Sequence, residues 1–180
     1  MEKFGTLDVL PALKHLDLMA VPTAAALKDL PNAADVGVAQ IDPTLSDTAA
    51  FCERYQVTPS QAANCVILEA KRAERTWYAA CMILGSTRAD VNGVARKFLD
   101  ARRVSFAPMD MAVSLTGMEY GGITPVGLPA EWPILVDGAV AASERLIIGS
   151  GIRRSKLLVS RAFLAALPNS TVLENLAHSQ

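Results

Sequence analysis

Histidine and cysteine are scarce in this chain, and the common nucleotide-binding signatures are missing. Only two histidines occur among 180 residues, His15 and His178, and they stand near opposite ends. A zinc site or a Ser/Cys–His pair would have to be assembled from these alone, so neither chemistry is expected. The three cysteines, Cys52, Cys65 and Cys81, are odd in number, show no CxxC spacing and sit in apolar stretches. Buried free thiols in a reducing cytoplasm are the expectation. Neither GxxxxGK(S/T) nor GxGxxG is present, so no nucleotide cofactor is implied, and no other cofactor is expected. No apolar run approaches the roughly 18 to 20 residues that a membrane span needs. The N-terminal "MEKFGTLDVLPALKH" has no basic segment leading into a long apolar stretch, so a chain without a signal peptide and without a membrane partner is expected. An excess of one charge is lacking too: the formal net charge is −1. The surface as a whole is therefore no trap for a polyanion. Any nucleic-acid contact should be confined to one end or one nucleotide, not a long duplex.

What is present is apolar content, 51% against 19% charged residues, enough for one domain with a full core. Residues 1–35 read as helical fragments broken by Pro11, Pro22 and Pro31, with Pro22 near the start of a short helix in "VPTAAALKDL". "DVGVAQI" reads as a strand, and Ser46 as the cap of a helix running to about Gln56. "NCVILEA" and "TWYAACMILG" flank the polar "KRAER" and predict a hairpin. The apolar spacing of Val91, Val94, Ala95 and Phe98 predicts a helix from about Arg88 to Leu99. A short strand "RRVSFA", a helix "PMDMAVSLTG" ended by Gly117, and strands "WPILVD", "ERLIIGSG" and "SKLLVS" follow. Ser160 then caps "RAFLAAL", and "STVLE" closes the sheet. Strands joined both by hairpins and by helices predict an α+β fold with a mixed sheet, curled into a partial barrel.

The stretch "EYGGITPVG" is unusual, with three glycines and a proline around one threonine. Glycine lets the backbone approach a ligand closely, and proline fixes φ near −65°. Together they freeze a loop whose N–H groups can hold an anion, a carbonyl oxygen or a water without a charged side chain. A tight turn between a helix and a strand is the plainer reading of the same residues.

Taken with its surroundings, "SFAPMDMAVSLTGMEYGGITPVGLPAEWPILVD" resembles the helix–TG–x–GG–x–x–P–x–G–strand block of the YbaK/prolyl-tRNA synthetase-associated domain family. "GSTRADVNGVARKF" is similar to that family's strand–basic turn–helix segment, and "LIIGSGIRRSKLLVS" to its second glycine segment. The resemblance runs from about residue 46 to 174. It implies an editing domain over 46–180, with a mixed, partly barrel-like sheet and surrounding helices. Residues 1–45 are then an N-terminal helical and strand extension packed on that domain. The implied activity is hydrolysis of the ester of a mischarged tRNA, with the tRNA 3′ end as partner and a location in the cytoplasm. With no synthetase segment in these residues, a free-standing deacylase acting in trans is the leading expectation. The resemblance implies Gly121, Gly122, Thr124, Pro125 and Gly127 as the catalytic loop, working through main-chain amides with help from a ribose hydroxyl of the substrate. It also implies substrate contacts at Gly149, Gly151 and Arg88, the last either meeting a phosphate or lying in solvent.

One departure stands out. Where the family carries a lysine at the start of its first long strand, this chain has Asn64. A hydrogen bond to a charged group is worth about 1.5–3 kcal/mol against about 1 for a neutral one. The change therefore amounts to about tenfold or more in binding. Lys71, Arg72, Arg88 and Lys156 are candidates to restore the charge. If none does, the alternative is a catalytically impaired module that binds a tRNA end, an aminoacyl-adenosine-like ligand or a protein. Among other residues, Asp110 reads as a first-turn charge, Asp137 as a turn residue, and Trp77, Tyr78 and Trp132 as core. Tyr120 is a candidate for base stacking, and the pairs at 102–103 and 153–154 for RNA phosphates or plain solvated surface. The amino acid removed and the oligomeric state are not legible.

Overall fold

Two neighbouring runs, "ANCVILEAKR" and "RTWYAACMIL", make the longest strands because both of their faces are apolar along most of their length. β4 (Ala63–Arg72) and β5 (Arg75–Leu84) pair antiparallel from end to end, with Ala63 opposite Leu84 and Arg72 opposite Arg75. Strands and helices carry numbers in chain order. The structure is a computed structural model that describes residues 2–180; Met1 lies outside the described residues. β7 (Arg103–Phe106) adds antiparallel to β4 and forms one edge. On the other side β8 (Ile134–Asp137) adds parallel to β5, and β11 (Ser170–Leu173) parallel to β8.

A second sheet runs in the order β1 (Glu2–Phe4), β2 (Leu7–Pro11), β3 (Gly37–Gln40), β10 (Ser155–Ser160), β9 (Arg145–Gly149). The two sheets meet at a parallel bridge, Ala62 to Ile147, and curl around a shared core. That core brings Val38, Ile148, Leu157 and Val159 of one sheet against Ile67, Met82, Ile134 and Val136 of the other. The helices α1 (Val21–Leu27), α4 (Met109–Thr116), α5 (Gly138–Ala142) and α6 (Arg161–Ala165) supply Leu27, Ala112, Val140 and Phe163 to it. The opposite face of β4 and β5 packs Leu68, Ala79 and Cys81 under Ala95 and Leu99. The opposite face of β9 and β10 packs Ile147 and Leu158 under Phe51 and Cys52 of α2 (Thr48–Tyr55). The expected α+β architecture with a mixed, curled sheet is the architecture found. Among the described residues, no helix is long and apolar enough to cross a membrane.

Several local expectations need correction. Residues 2–11 are a hairpin of β1 and β2, not helical fragments; Leu7 and Val9 are buried while Asp8 is exposed, a two-residue period. Pro11 ends the alternation without breaking it, as the last residue of β2. Helix α2 is capped by Asp47, whose carboxylate accepts from the Ala49 N–H at 3.1 Å, and not by Ser46. Arg88 does not open a helix. It lies in β6 (Thr87–Ala89) opposite His178 of β12 (Ala177–Ser179). The helical segment starts at Val91 with a wide π-turn (Val91–Ala95) and continues as α3 (Arg96–Phe98). Asp90 sets that start, its carboxylate accepting from the N–H groups of Gly93 at 2.9 Å and Val94 at 3.1 Å.

Asp137 is more than a turn residue. It is buried at the end of β8, and its two carboxylate oxygens accept from the N–H of Ala139 at 3.1 Å and of Ala177 at 3.0 Å. One side chain thus starts α5 and pins the C-terminal strand. Asp137→Ala leaves both donors without their acceptor and is expected to cost about 1–3 kcal/mol. Urea unfolding should report it as a lower midpoint with an unchanged slope.

Candidate active site

The glycine loop is held by main chain on main chain. Glycines are required where it crosses the segment after β9. A Cβ on Gly149 would stand 2.4 Å from the carbonyl oxygens of both Gly122 and Ile123, and one on Gly122 would stand 2.6 Å from the Ile152 backbone. With those carbons absent, the two segments hydrogen-bond directly. Gly151 N–H donates to the Gly122 carbonyl at 2.7 Å, Glu119 N–H to the Gly151 carbonyl at 2.9 Å, and Gly122 N–H to the Glu119 carbonyl at 3.0 Å. The Glu119 carboxylate accepts from the Arg153 N–H at 2.8 Å. The Arg153 guanidinium reaches across to the carbonyls of Pro43 at 3.1 Å and Tyr120 at 3.4 Å, so it ties the loop before α2 to the glycine loop.

These ties wall a cavity of about 260 Å³ at the seam of the two sheets. Its floor is the start of β4, from Ala63 to Ile67. Ser46, Asp47 and Thr48 close one side, Gly121 and Ile123 another, and Gly149 and Lys156 come from β9 and β10. Phe106 and Tyr120, both exposed, stand at the rim. The N–H groups of Gly121 and Ile123 donate to no backbone acceptor among the described residues, although their neighbours Gly122 and Gly151 do.

Among the described residues, Lys156 is the only lysine or arginine in the lining. Its ammonium donates to the Ser46 carbonyl at 3.3 Å and lies 5.4 Å from the centre of the Phe51 ring. Burial pulls its pKa down to about 8, with Arg153 adding to the fall and the neighbouring Cys52 and Asp47 opposing it. Asn64 stands in the same lining, where its side-chain oxygen accepts from the Thr48 hydroxyl at 2.8 Å. Cys65 also faces the cavity, but burial pushes its thiol up, so it stays protonated and is a poor nucleophile. All three cysteines are free. Among the described residues, no three of His, Cys, Asp or Glu converge as metal ligands.

Of the residues singled out from sequence, Tyr120, Gly121, Gly149, Asn64 and Lys156 come together around this cavity. Gly122 lies behind the wall, packed on Ile152. Gly127 and Gly151 pack against Pro22 and Ala20 at the head of α1. Pro125 and Gly127 line a separate apolar cavity of about 130 Å³ beside Trp132 and Leu167. Thr124 is fully buried outside the main cavity, and its hydroxyl has no hydrogen-bond partner among the described residues. Arg88 is exposed on β6 and lies outside the lining. Thr48, Ser46, Ile123 and Phe106 were not singled out as ligand contacts. Ser46 and Thr48 flank a recognisable helix start, but only the tertiary fold turns that start toward β4.

The fold is thus an α+β domain of two curled sheets with a cavity at their seam, Gly121 and Gly149 among its lining. The aminoacyl-tRNA editing domain model matches residues 42–167, well over half the chain, and the chain belongs to that family. Solved structures agree in fold. A candidate trans-editing enzyme for prolyl-tRNA synthetase is 16% identical with a TM-score of 0.72, the match covering 93% of this chain and 98% of that one. A scaffold used for computational epitope grafting is 17% identical with a TM-score of 0.73, covering 86% and 95%. A hypothetical protein is 22% identical with a TM-score of 0.66, covering 74% and 85%. No curated protein sequence matches.

The close approach makes a direct prediction. Gly149→Ala forces the glycine loop off the sheet and is expected to destabilise the protein by about 1–3 kcal/mol. Gly117→Ala, whose Cβ would meet only Pro22 at 3.7 Å, bears just the left-handed backbone penalty at φ 68 and should cost about 1 kcal/mol. Thermal or urea unfolding of the two variants side by side checks the order.

Proposed function

We propose that the protein is a free-standing aminoacyl-tRNA deacylase, hydrolysing in trans the ester of a mischarged tRNA. Membership of the editing-domain family supports the reaction class. The observation that carries the reading is that Gly121 and Ile123, whose N–H groups donate to no backbone acceptor among the described residues, line one cavity together with Lys156.

In this reading the ester carbonyl oxygen accepts from the Gly121 and Ile123 amides. Water attacks the carbonyl carbon, negative charge grows on that oxygen, and the amides hold it without reorganisation. Donors of this kind are worth about 2.7–4 kcal/mol each. The carbon–oxygen bond to the ribose then breaks, the ribose oxygen takes a proton, and the free amino acid leaves. A ribose hydroxyl of the substrate can orient the water, so no His, Ser nucleophile or thiol of the protein is needed. Lys156 supplies the positive charge that Asn64 does not, reaching the same cavity from β10 instead of β4. It faces the terminal phosphate or the ribose. Gly122, Thr124, Pro125, Gly127 and Gly151 act by holding the loop, and three free thiols fit a reducing cytoplasm.

The cation on Lys156 is present below about pH 8 and lost as pH rises through that value. Hydrolysis, corrected for the spontaneous rate, should therefore fall on the alkaline side with a midpoint near 8. Lys156→Met is expected to remove that limb and to lower kcat/KM at neutral pH by about 10- to 100-fold. The parent test is a panel of tRNAs mischarged with small amino acids such as Ala, Ser and Cys. No hydrolysis of any member above background refutes the enzyme.

Asn64 itself favours a second reading, a binding module for a tRNA end, an aminoacyl-adenosine-like ligand or a protein. Asn64→Lys separates the two. Activity gained from an inert parent supports the module, and an active parent little changed by the substitution supports the enzyme.

A further inference from the structure

Away from the cavity, four cations line one open groove: Arg72 at the end of β4, Arg96 and Lys97 on α3, and Arg102 just before β7. One carboxylate, Asp100, shares it, in a chain whose net charge is −1. Asp100 offsets one of these charges. Its carboxylate pairs with Arg72, and its carbonyl accepts from the Arg72 guanidinium at 2.9 Å. Arg96 is likewise held, donating to the Asn92 carbonyl at 2.8 Å. Lys97 and Arg102 make no ion pair among the described residues, and Arg102 is exposed.

The groove is connected to the cavity by the edge strand β7, which carries Arg102 at its entrance and Phe106 at its exit. Four residues of extended strand separate them by about 13 Å. Cations on an edge strand also discourage strand-to-strand aggregation. That role accounts for Arg102 but not for Arg96 and Lys97, which come from a helix and converge on the same groove.

We infer that this groove docks the phosphates of the paired acceptor stem of the tRNA, while the unpaired 3′ end runs along β7 past Phe106 into the cavity. The inference rests on the deacylase reading for the identity of the RNA. Its physical basis is charge complementarity concentrated in one place on a nearly neutral chain, at a spacing from the cavity that a short single strand bridges. Phosphate contacts of this kind position the substrate and carry no base specificity.

The test is the triple variant Arg96→Ala/Lys97→Ala/Arg102→Ala, which leaves the Arg72–Asp100 pair and the cavity intact. A charge-preserving variant, Arg96→Lys/Lys97→Arg/Arg102→Lys, is the control for folding and for simple charge. Binding of an uncharged acceptor-stem hairpin RNA is read by fluorescence anisotropy across a salt series. Hydrolysis is read on mischarged tRNA and on a short aminoacylated oligonucleotide without the stem. The alanine variant should bind the hairpin at least about tenfold more weakly, with the salt slope reduced by about 2–3. It should lose rate on the full tRNA through KM, keep its rate on the short substrate, and recover with the charge-preserving variant. Unchanged hairpin binding, no hairpin binding by the parent, or equal losses on both substrates each overturn the inference. If the parent hydrolyses nothing yet binds the hairpin through these residues, the groove stands and the deacylase reading falls.

Discussion

The site depends on a contact that only residues without a side chain permit: the main chain of Gly122 and Ile123 lying directly on Gly149. The carbonyl oxygens there stand 2.4 Å from where a Cβ would be, and the Gly151 N–H donates to the Gly122 carbonyl at 2.7 Å. Because the loop is carried by the second sheet in this way, its position is set by strand pairing and not by loop flexibility. Glu119 and Arg153 extend the same clamp to the segment before α2, so three separate pieces of chain are fixed around one cavity. A main-chain wall of this kind presents fixed dipoles whose direction is determined before a ligand arrives.

Within that frame the glycine and proline residues divide their work. Gly121 and Gly149 line the cavity, Gly149 also lets the loop backbone lie on it as Gly122 and Gly127 do for their neighbours, and Gly151 makes room for the side chains of Ala20 and Thr23. Lys156 illustrates how a curled sheet brings distant residues together. It lies opposite Gly149 in the β9–β10 pair, far from Asn64 in sequence, yet both line the same space because the two sheets meet at the Ala62–Ile147 bridge. Burial there pulls the pKa of the ammonium down to about 8.

Much of the fold was legible locally. The β4–β5 hairpin, α1 with Pro22 in its first turn, the stop of α4 at Gly117 and the Ser160 cap of α6 each rest on interactions within a few residues, so the chemistry that sets them is written in adjacent positions. The misreadings have non-local causes. The β1–β2 hairpin is stabilised by β3 and by the hydrophobic layer against α2, and Pro11 is tolerated because it is the last residue of β2, past those that pair with β1. The apolar spacing that follows Arg88 is helical, which points to a helix there from sequence. The strand that Arg88 joins is completed by residues 177–179, about ninety positions away in the register of β6 with β12.

The sequence by itself determined the α+β class, the family block around the glycine loop, the absence of CxxC and phosphate-loop motifs, and Asn64 at the entrance of β4. Tertiary structure alone decided which glycines face the cavity, that Lys156 shares it with Asn64 and Thr48, and that Arg72, Arg96, Lys97 and Arg102 meet in one groove. The division follows from range. Backbone preference and capping are set by neighbours along the chain, whereas convergence of side chains depends on sheet order and curl, which arise only when distant strands bury their faces together.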